Sequence, residues 1–181
     1  MRVIAGEAKG ARLVPVPDGT RPLSDRAREG LFSCLGNHLY GARVLDLYAG
    51  TGACGIEALS RGATSATFVD SASSAARTIR ANLDKTRFSD RATVVRQDVM
   101  RFLHDGDGEY DVVFLDPPYA IPGRTLDMAL VGLAGGWLET EAGRAALTRP
   151  TKGYSPVVPV NWHVARRLSY GDTLILLFQE V

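Results

Sequence analysis

Four aspartates in this chain stand in or just after short apolar runs. They are Asp46 in Val44-Leu45-Asp46-Leu47, Asp70 after Ala66 to Val69, Asp98 after Ala92 to Gln97, and Asp116 after Tyr110 to Leu115. Such runs read as parallel strands covered on both faces. A single acid at a strand end is commonplace, because Asp caps the helix that follows. Four on four strands at one sheet edge point instead to a shared ligand, since open α/β sheets gather ligands at the carboxyl ends of their strands.

The first run leads into Tyr48-Ala49-Gly50-Thr51-Gly52 and then, from Ile56, a helix. A strand, a glycine turn and a helix N-terminus direct backbone N–H groups at an anionic or polar ligand. Gly50, Gly52 and Gly55 spell G-x-G-x-x-G, so a dinucleotide is the first candidate. Asp46 opposes it, because a carboxylate there would face a pyrophosphate. S-adenosylmethionine suits the loop better, with an ammonium and a sulfonium and no phosphate. Its methionine end is expected at Asp46, its carboxylate on loop N–H groups, its ribose at Asp70 and its adenine amine at Asp98. The cofactor set is Asp46, Tyr48, Ala49, Gly50, Gly52, Asp70, Asp98 and Val99.

Asp116-Pro117-Pro118-Tyr119 is the sharpest signal. An amine conjugated to an aromatic ring or amide is a poor nucleophile because its lone pair is delocalised. A site that methylates it accepts hydrogen bonds from both N–H groups and turns the lone pair toward the methyl donor. The Asp116 carboxylate and the Pro117 carbonyl can be those acceptors. The two prolines remove donors and stiffen the turn. Tyr119 offers a face for a planar base. Catalysis here is mostly positioning for in-line transfer.

The elements that position these residues follow from the pattern. Strands are expected at 43–47, 66–70, 92–98, 110–115, 144–148, 162–169 and 173–180, with helices at 73–84, 99–104 and 124–134. Alternating βα units closed by a hairpin at Tyr170-Gly171-Asp172 give an α/β fold, Rossmann-like, with a seven-stranded, mostly parallel sheet and a C-terminal antiparallel hairpin. That ending is characteristic of class I methyltransferase folds. Residues 41–181 form this domain. Residues 1–40 form an N-terminal extension, a β-hairpin over 2–16, a turn at Pro17-Asp18-Gly19 and a helix over 25–35 that packs it on the domain. Arg26, Arg28 and Glu29 are expected off the apolar stripe of that helix.

The chain has 181 residues, 45% hydrophobic and 23% charged, with a net charge of +1, which bounds it to one globular unit and gives no overall argument for nucleic acid. The distribution is more telling. Residues 1–40 hold six Lys/Arg against four acids, and residues 143–171 hold five against none, so both ends are basic. Cys34 and Cys54 have no metal-ligand spacing. No secretory or membrane-spanning run is visible, and the chain reads as cytoplasmic.

Four motifs in order carry a resemblance: R-V-I-A-G-x-x-K-G-x-x-L, R-P-x-x-D-R-x-R-E-x-L-F, D-L-Y-A-G-T-G-x-x-G-I-E-A-L-S-R-G-A and D-P-P-Y, with V-P-V-N-W near the end. Together they resemble bacterial small-subunit ribosomal RNA guanine-N2 methyltransferases of the RsmD type, over nearly the whole chain. The resemblance implies methyl transfer from S-adenosylmethionine to N2 of one guanine in 16S ribosomal RNA, presented in a partly or fully assembled small subunit. It implies a monomer without a metal. Asp116, Pro117, Pro118 and Tyr119 are then the catalytic residues, and Arg2, Lys9, Arg12, Arg21, Arg26 and Arg28 the RNA contacts. Two positions depart from the family pattern. Leu23 follows Arg21-Pro22 where Thr is usual, and the fifth strand ends in Thr148-Arg149 where an acid is common. The competing readings are a DNA adenine-N6 methyltransferase, a non-catalytic RNA assembly factor that binds S-adenosylmethionine, and a nucleotide-dependent dehydrogenase.

Overall fold

The computed structural model describes residues 1–15, 22–139 and 141–181. Arg21 and the turn at Pro17-Asp18-Gly19 lie outside the described residues. Helix α1 (Asp25–Leu35) precedes β1 (Arg43–Leu47), α2 (Ala53–Ser60), β2 (Ser65–Asp70), α3 (Ser73–Thr86), β3 (Ala92–Arg96), α4 (Val99–Asp105), β4 (Val112–Leu115), α5 (Gly123–Ala134), β5 (Arg144–Pro150), β6 (Trp162–Tyr170) and β7 (Thr173–Glu180). The strands form one seven-stranded sheet in the order β3-β2-β1-β4-β5-β7-β6. β3, β2, β1, β4 and β5 are parallel, while β7 runs antiparallel to both β5 and β6. The expected fold class and closing hairpin are therefore present.

Side chains alternate across the sheet with the period of two that strands impose. Val44, Val112 and Phe114 face a core shared with Phe32, Ile56 and Phe68. Leu45, Leu47, Val113 and Leu115 face the other, with Leu126, Leu130 and Leu133 of α5. Burial on both faces explains why β4 is apolar at every position. The strand order reverses between β1 and β4, and that switch point is where a ligand crevice opens in such sheets.

Several boundaries differ from the sequence expectation, and three of them show why. Helix α2 begins at Ala53, directly after Gly52 at φ 77°. β3 ends at Arg96, because the Asp98 side chain turns to accept from the Arg101 N–H and starts α4. β4 starts at Val112, because Tyr110 leaves the ladder and bridges to Leu138.

The N-terminal hairpin narrows to a single bridge between Arg2 and Arg12. Its arms stay joined by the Val3 N–H to the Ala11 carbonyl at 3.0 Å, the Gly10 N–H to the Val3 carbonyl at 2.9 Å and the Leu13 N–H to the Met1 carbonyl at 3.1 Å, while other backbone groups turn to buried side chains of the domain. Glu57, fully buried, accepts from the N–H groups of Ile4 at 2.7 Å and Ala5 at 3.1 Å. Ser60 Oγ donates to the Ala5 carbonyl at 2.6 Å and accepts from the Ala8 N–H at 3.0 Å. Asn82 exchanges two bonds with Val14, at 2.6 and 3.0 Å. The extension thus docks through its hairpin as well as through α1.

Candidate active site

The loop after β1 is shaped by its own carboxylates. Asp46 is 2% exposed and accepts from the Gly55 N–H at 2.9 Å, inside the first turn of α2. Asp70, at the end of β2, accepts from the Gly50 N–H and the Ala72 N–H, both at 2.9 Å. Gly50 sits at φ 55° and Gly52 at φ 77°, the left-handed region that glycine enters without penalty. Tyr48 also lies there, at φ 58°. Gly55 serves another purpose, since a Cβ at that position would come within 2.3 Å of the Phe68 ring. The third glycine of G-x-G-x-x-G thus lets α2 lie against β2.

These residues open onto a cavity of about 550 Å³. Of the expected cofactor set, Asp46, Tyr48, Ala49, Gly50, Asp70, Asp98 and Val99 line it, as do Asp116, Pro117, Pro118 and Tyr119. Gly52 does not line it; it shapes the turn behind. The loop N–H groups expected to meet a carboxylate are largely engaged. Gly50 donates to Asp70, Gly55 to Asp46, and Gly52 to the Ala49 carbonyl at 2.7 Å.

A second cavity, about 280 Å³, adjoins the first. Pro22, Leu23, Ser24 and Arg26 come from the start of α1, Thr148 from β5, and Tyr170 to Thr173 from the β6–β7 turn. Asp116 and Tyr119 line both cavities. Asp116 therefore stands on their border, at the end of β4.

Electrostatics set the carboxylates apart. Burial pushes Asp46 up to about 8, the Gly55 N–H opposes the rise, and the charges of Asp116 and Asp70 add to it. Burial pushes Asp116 up to about 7, with the Arg149 charge holding it lower than burial alone would. Burial and the charge of Asp98 push Tyr48 to about 12, so its hydroxyl stays protonated.

Two arginines stand differently from their sequence readings. Arg28 is fully buried and belongs to no RNA-facing surface. It was expected off the apolar stripe of α1, yet Arg28, Leu31, Phe32 and Leu35 recur at i, i+3, i+4 and i+7 on the buried face. That spacing was the available signal. Arg149, 3% exposed, makes a long 3.5 Å bond to the Pro118 carbonyl and so touches the Asp-Pro-Pro-Tyr turn. Thr148 and Arg149, the departure noted at the end of the fifth strand, thus form part of the border region. Arg2, Lys9, Arg12 and Arg26 are exposed. Among the described residues, no group of three or more His, Cys, Asp and Glu could hold a metal, and no helix is long and apolar enough to cross a membrane.

Comparison with known proteins bears on what this geometry serves. The family model described as "Conserved hypothetical protein 95" matches residues 1–179. Ribosomal RNA small subunit methyltransferase D of Escherichia coli strain K12 is 37% identical over 184 residues, covering 99% of this chain and 90% of the relative. The chain belongs to this family. Its Haemophilus influenzae member is 33% identical over 185 residues, covering 99% of this chain and 94% of the relative. The solved structure of yhhF from Escherichia coli superposes with a TM-score of 0.87 at 35% identity, covering 99% of this chain and 97% of that one. Within the family fold, the switch-point crevice and the Asp116 to Tyr119 turn open onto the same larger cavity.

Proposed function

We propose that this chain transfers a methyl group from S-adenosylmethionine to the exocyclic N2 of a guanine in 16S ribosomal RNA of the small subunit. The observation that carries the reading is the position of Asp116 on the border of two adjoining cavities. One cavity suits a methyl donor and the other a planar base, and an acceptor for amine N–H groups stands between them. The relatives, ribosomal RNA small subunit methyltransferases, supply the RNA. The Asp-Pro-Pro-Tyr turn supplies the amine chemistry.

The lining residues fit the donor. Each Asp70 oxygen accepts one backbone N–H, which leaves lone pairs for ribose hydroxyls. Asp98 spends Oδ1 on the Arg101 N–H and keeps Oδ2 for an amine. A bound ammonium would favour the ionised form of Asp46, whose pKa burial otherwise pushes up to about 8. A pyrophosphate would meet the same carboxylates as repulsion, which disfavours a dinucleotide. When bound, S-adenosylmethionine supplies an electrophilic methyl group.

The chain's own residues do the rest. Tyr119, 44% exposed, offers the guanine ring a stacking face. The Asp116 carboxylate and the Pro117 carbonyl accept from the two N–H groups of the amine, turning its lone pair toward the larger cavity. Methylation of an amine obliges a proton to leave nitrogen. An Asp116 oxygen, with its pKa near neutrality, is suited to accept it. Arg2, Lys9, Arg12 and Arg26 form the exposed basic set for phosphates, with Arg26 at the mouth of the smaller cavity.

The test is incubation of the protein with methyl-labelled S-adenosylmethionine and small subunits from a strain lacking the enzyme, followed by nucleoside analysis. Label in N2-methylguanosine is the expected result. Label in another nucleoside, or in none, overturns the assignment.

A further inference from the structure

Arg28 is the one basic side chain lining the larger cavity among the described residues; every other charged side chain there is an aspartate, at 46, 70, 98 and 116. Its guanidinium is buried, and only one of its nitrogens has a partner. Nη2 donates to the Arg2 carbonyl and to Asp25 Oδ1 at 2.9 Å. Nε and Nη1 are buried with no hydrogen-bond partner. Buried donors left unmet are rare, and a charged group left so is more costly still. Asp25 does little to offset this, since its side chain is 65% exposed and its charge is hydrated.

The position is informative. The Cys54 thiol, near the start of α2, is acted on by the charges of Asp46, Asp116 and Arg28 together. Phe32, one turn along α1 from Arg28, packs against Phe114, two residues before Asp116, at 5.4 Å between ring centroids, so α1 brings Arg28 to the β4 side of the cavity. An amino-acid terminus carries a carboxylate as well as an ammonium. The aspartates can meet the ammonium but repel the carboxylate, and the N–H groups of Gly50, Gly52 and Gly55 are already engaged.

We propose that Arg28 receives the carboxylate of the methyl donor on an unmet guanidinium N–H, the inference resting on the cofactor reading above. Nε and Nη1 each share an edge of the guanidinium with Nη2, which is already engaged, so a carboxylate oxygen meets one of the unmet donors singly in a charge-assisted bond. Both are shielded from solvent. Met1 and Leu23, also of the N-terminal extension, line the same cavity. Arg28 is then a binding residue that orients the donor, and the chain that presents it is the N-terminal extension.

The experiment is calorimetric titration of the full chain with S-adenosylmethionine and with its decarboxylated analogue, for the wild type, Arg28→Met and Arg28→Lys. The wild type should prefer the carboxylate-bearing ligand by roughly a hundredfold, the range for truncating one side of a buried charge pair. Arg28→Met should weaken S-adenosylmethionine by a similar factor, leave the decarboxylated ligand nearly unchanged, and so erase the preference. Arg28→Lys should restore part of it. A purely structural arginine would weaken both ligands alike. Equal wild-type affinity for the two ligands overturns the proposal even if Arg28→Met fails to fold, as does a preference that survives in either variant. If the wild type binds neither ligand, the cofactor reading itself falls.

Discussion

The two cavities that meet at Asp116 are built in different ways. The larger one draws on continuous stretches: Tyr48 to Thr51 after β1, Asp70 to Ala72 after β2, and Asp116 to Tyr119 after β4. Each is a strand end followed by a turn, and parallel pairing brings the three together. The smaller one joins stretches far apart in the chain, the start of α1, Thr148, and the Tyr170 to Thr173 turn. They meet only because β7 inserts antiparallel beside β5, with Pro150 opposite Thr173 and the Thr151 N–H bonded to the Asp172 carbonyl at 2.9 Å. The strand-end wall of the donor side is thus written in local motifs, while its wall of Met1, Pro22, Leu23 and Arg28, like the acceptor side, comes from topology. Chemistry sits where the two kinds of construction touch.

The strongest way to break this division is at the border. Asp116→Ala should lower single-turnover methylation by roughly a hundredfold or more, the scale for losing one preorganised contact to a transition state. Affinity for S-adenosylmethionine should change little. A mutant that retains near-normal turnover removes Asp116 from the mechanism. One that loses the cofactor moves Asp116 wholly into the larger cavity.

Asp70→Ala should act on the larger cavity alone. Its loss leaves the Gly50 and Ala72 N–H groups without their acceptor and withdraws the expected ribose contact, so cofactor affinity should fall by about 1–3 kcal/mol. RNA affinity should hold. Calorimetry with S-adenosylmethionine, beside a filter-binding assay with subunit RNA, checks both halves; an unchanged cofactor affinity would leave Asp70 as a brace for the glycine turn only.

The same contrast explains what was legible in the sequence. The apolar runs that become β1 and β4 are covered on both faces, so their hydrophobicity marks them without help from distant residues. Asp46, Asp70 and Asp116 follow from strand ends, and Asp98 both caps α4 and lines the cavity, two uses that a single sequence cannot separate. The hairpin over 2–16 read as two strands because alternation records only that one face is buried. The two arms do pair, but alternation cannot show that Glu57, Ser60 and Asn82 take the backbone groups the short ladder leaves over. Arg28 was misplaced because a charged residue on an apolar stripe is assigned to solvent by habit, although its spacing matched Leu31, Phe32 and Leu35. The smaller cavity carries no local pattern. It follows from the register of β5 on β7, which exists only after folding.

Acidity sharpens the comparison further, because the two buried carboxylates tie stability and turnover to pH in opposite senses. Asp46 near 8 and Asp116 near 7 hold protons that the unfolded chain releases close to pH 4. The native state therefore binds more protons between about pH 4 and 8, and stability should fall as pH rises through that window. Turnover needs Asp116 ionised and should rise through about pH 7, dropping about tenfold per unit well below it. Thermal unfolding of the cofactor-free protein and single-turnover rates across pH 5–9 check the two slopes. Asp46→Asn, which can still accept from the Gly55 N–H, should flatten the upper part of the stability slope and leave the position of the rate profile near 7. A stability that climbs steadily from pH 5 to 8 contradicts both assignments.

The smallest effects belong to the surface beside the acceptor cavity. Arg2, Lys9, Arg12 and Arg26 are exposed, and the first three project from a hairpin pinned to the domain by Glu57, Ser60 and Asn82. A pinned hairpin holds its cations at fixed spacing, which is what phosphate recognition requires, yet each exposed charge contributes little by itself. Single substitutions to Ala should therefore weaken subunit-RNA binding only a few-fold. Each should reduce the slope of log affinity against log salt by roughly 0.7–0.9, the release of about one counterion. Arg26→Ala should stand apart from the other three, because Arg26 also lines the acceptor cavity. Its loss should lower the methylation rate at saturating RNA, whereas Lys9→Ala and Arg12→Ala should affect binding alone. Salt titrations of the four variants and their saturated rates decide the matter. A salt slope unmoved in all four would remove the hairpin from the RNA interface, and a normal saturated rate in Arg26→Ala would confine that residue to the same diffuse electrostatic role.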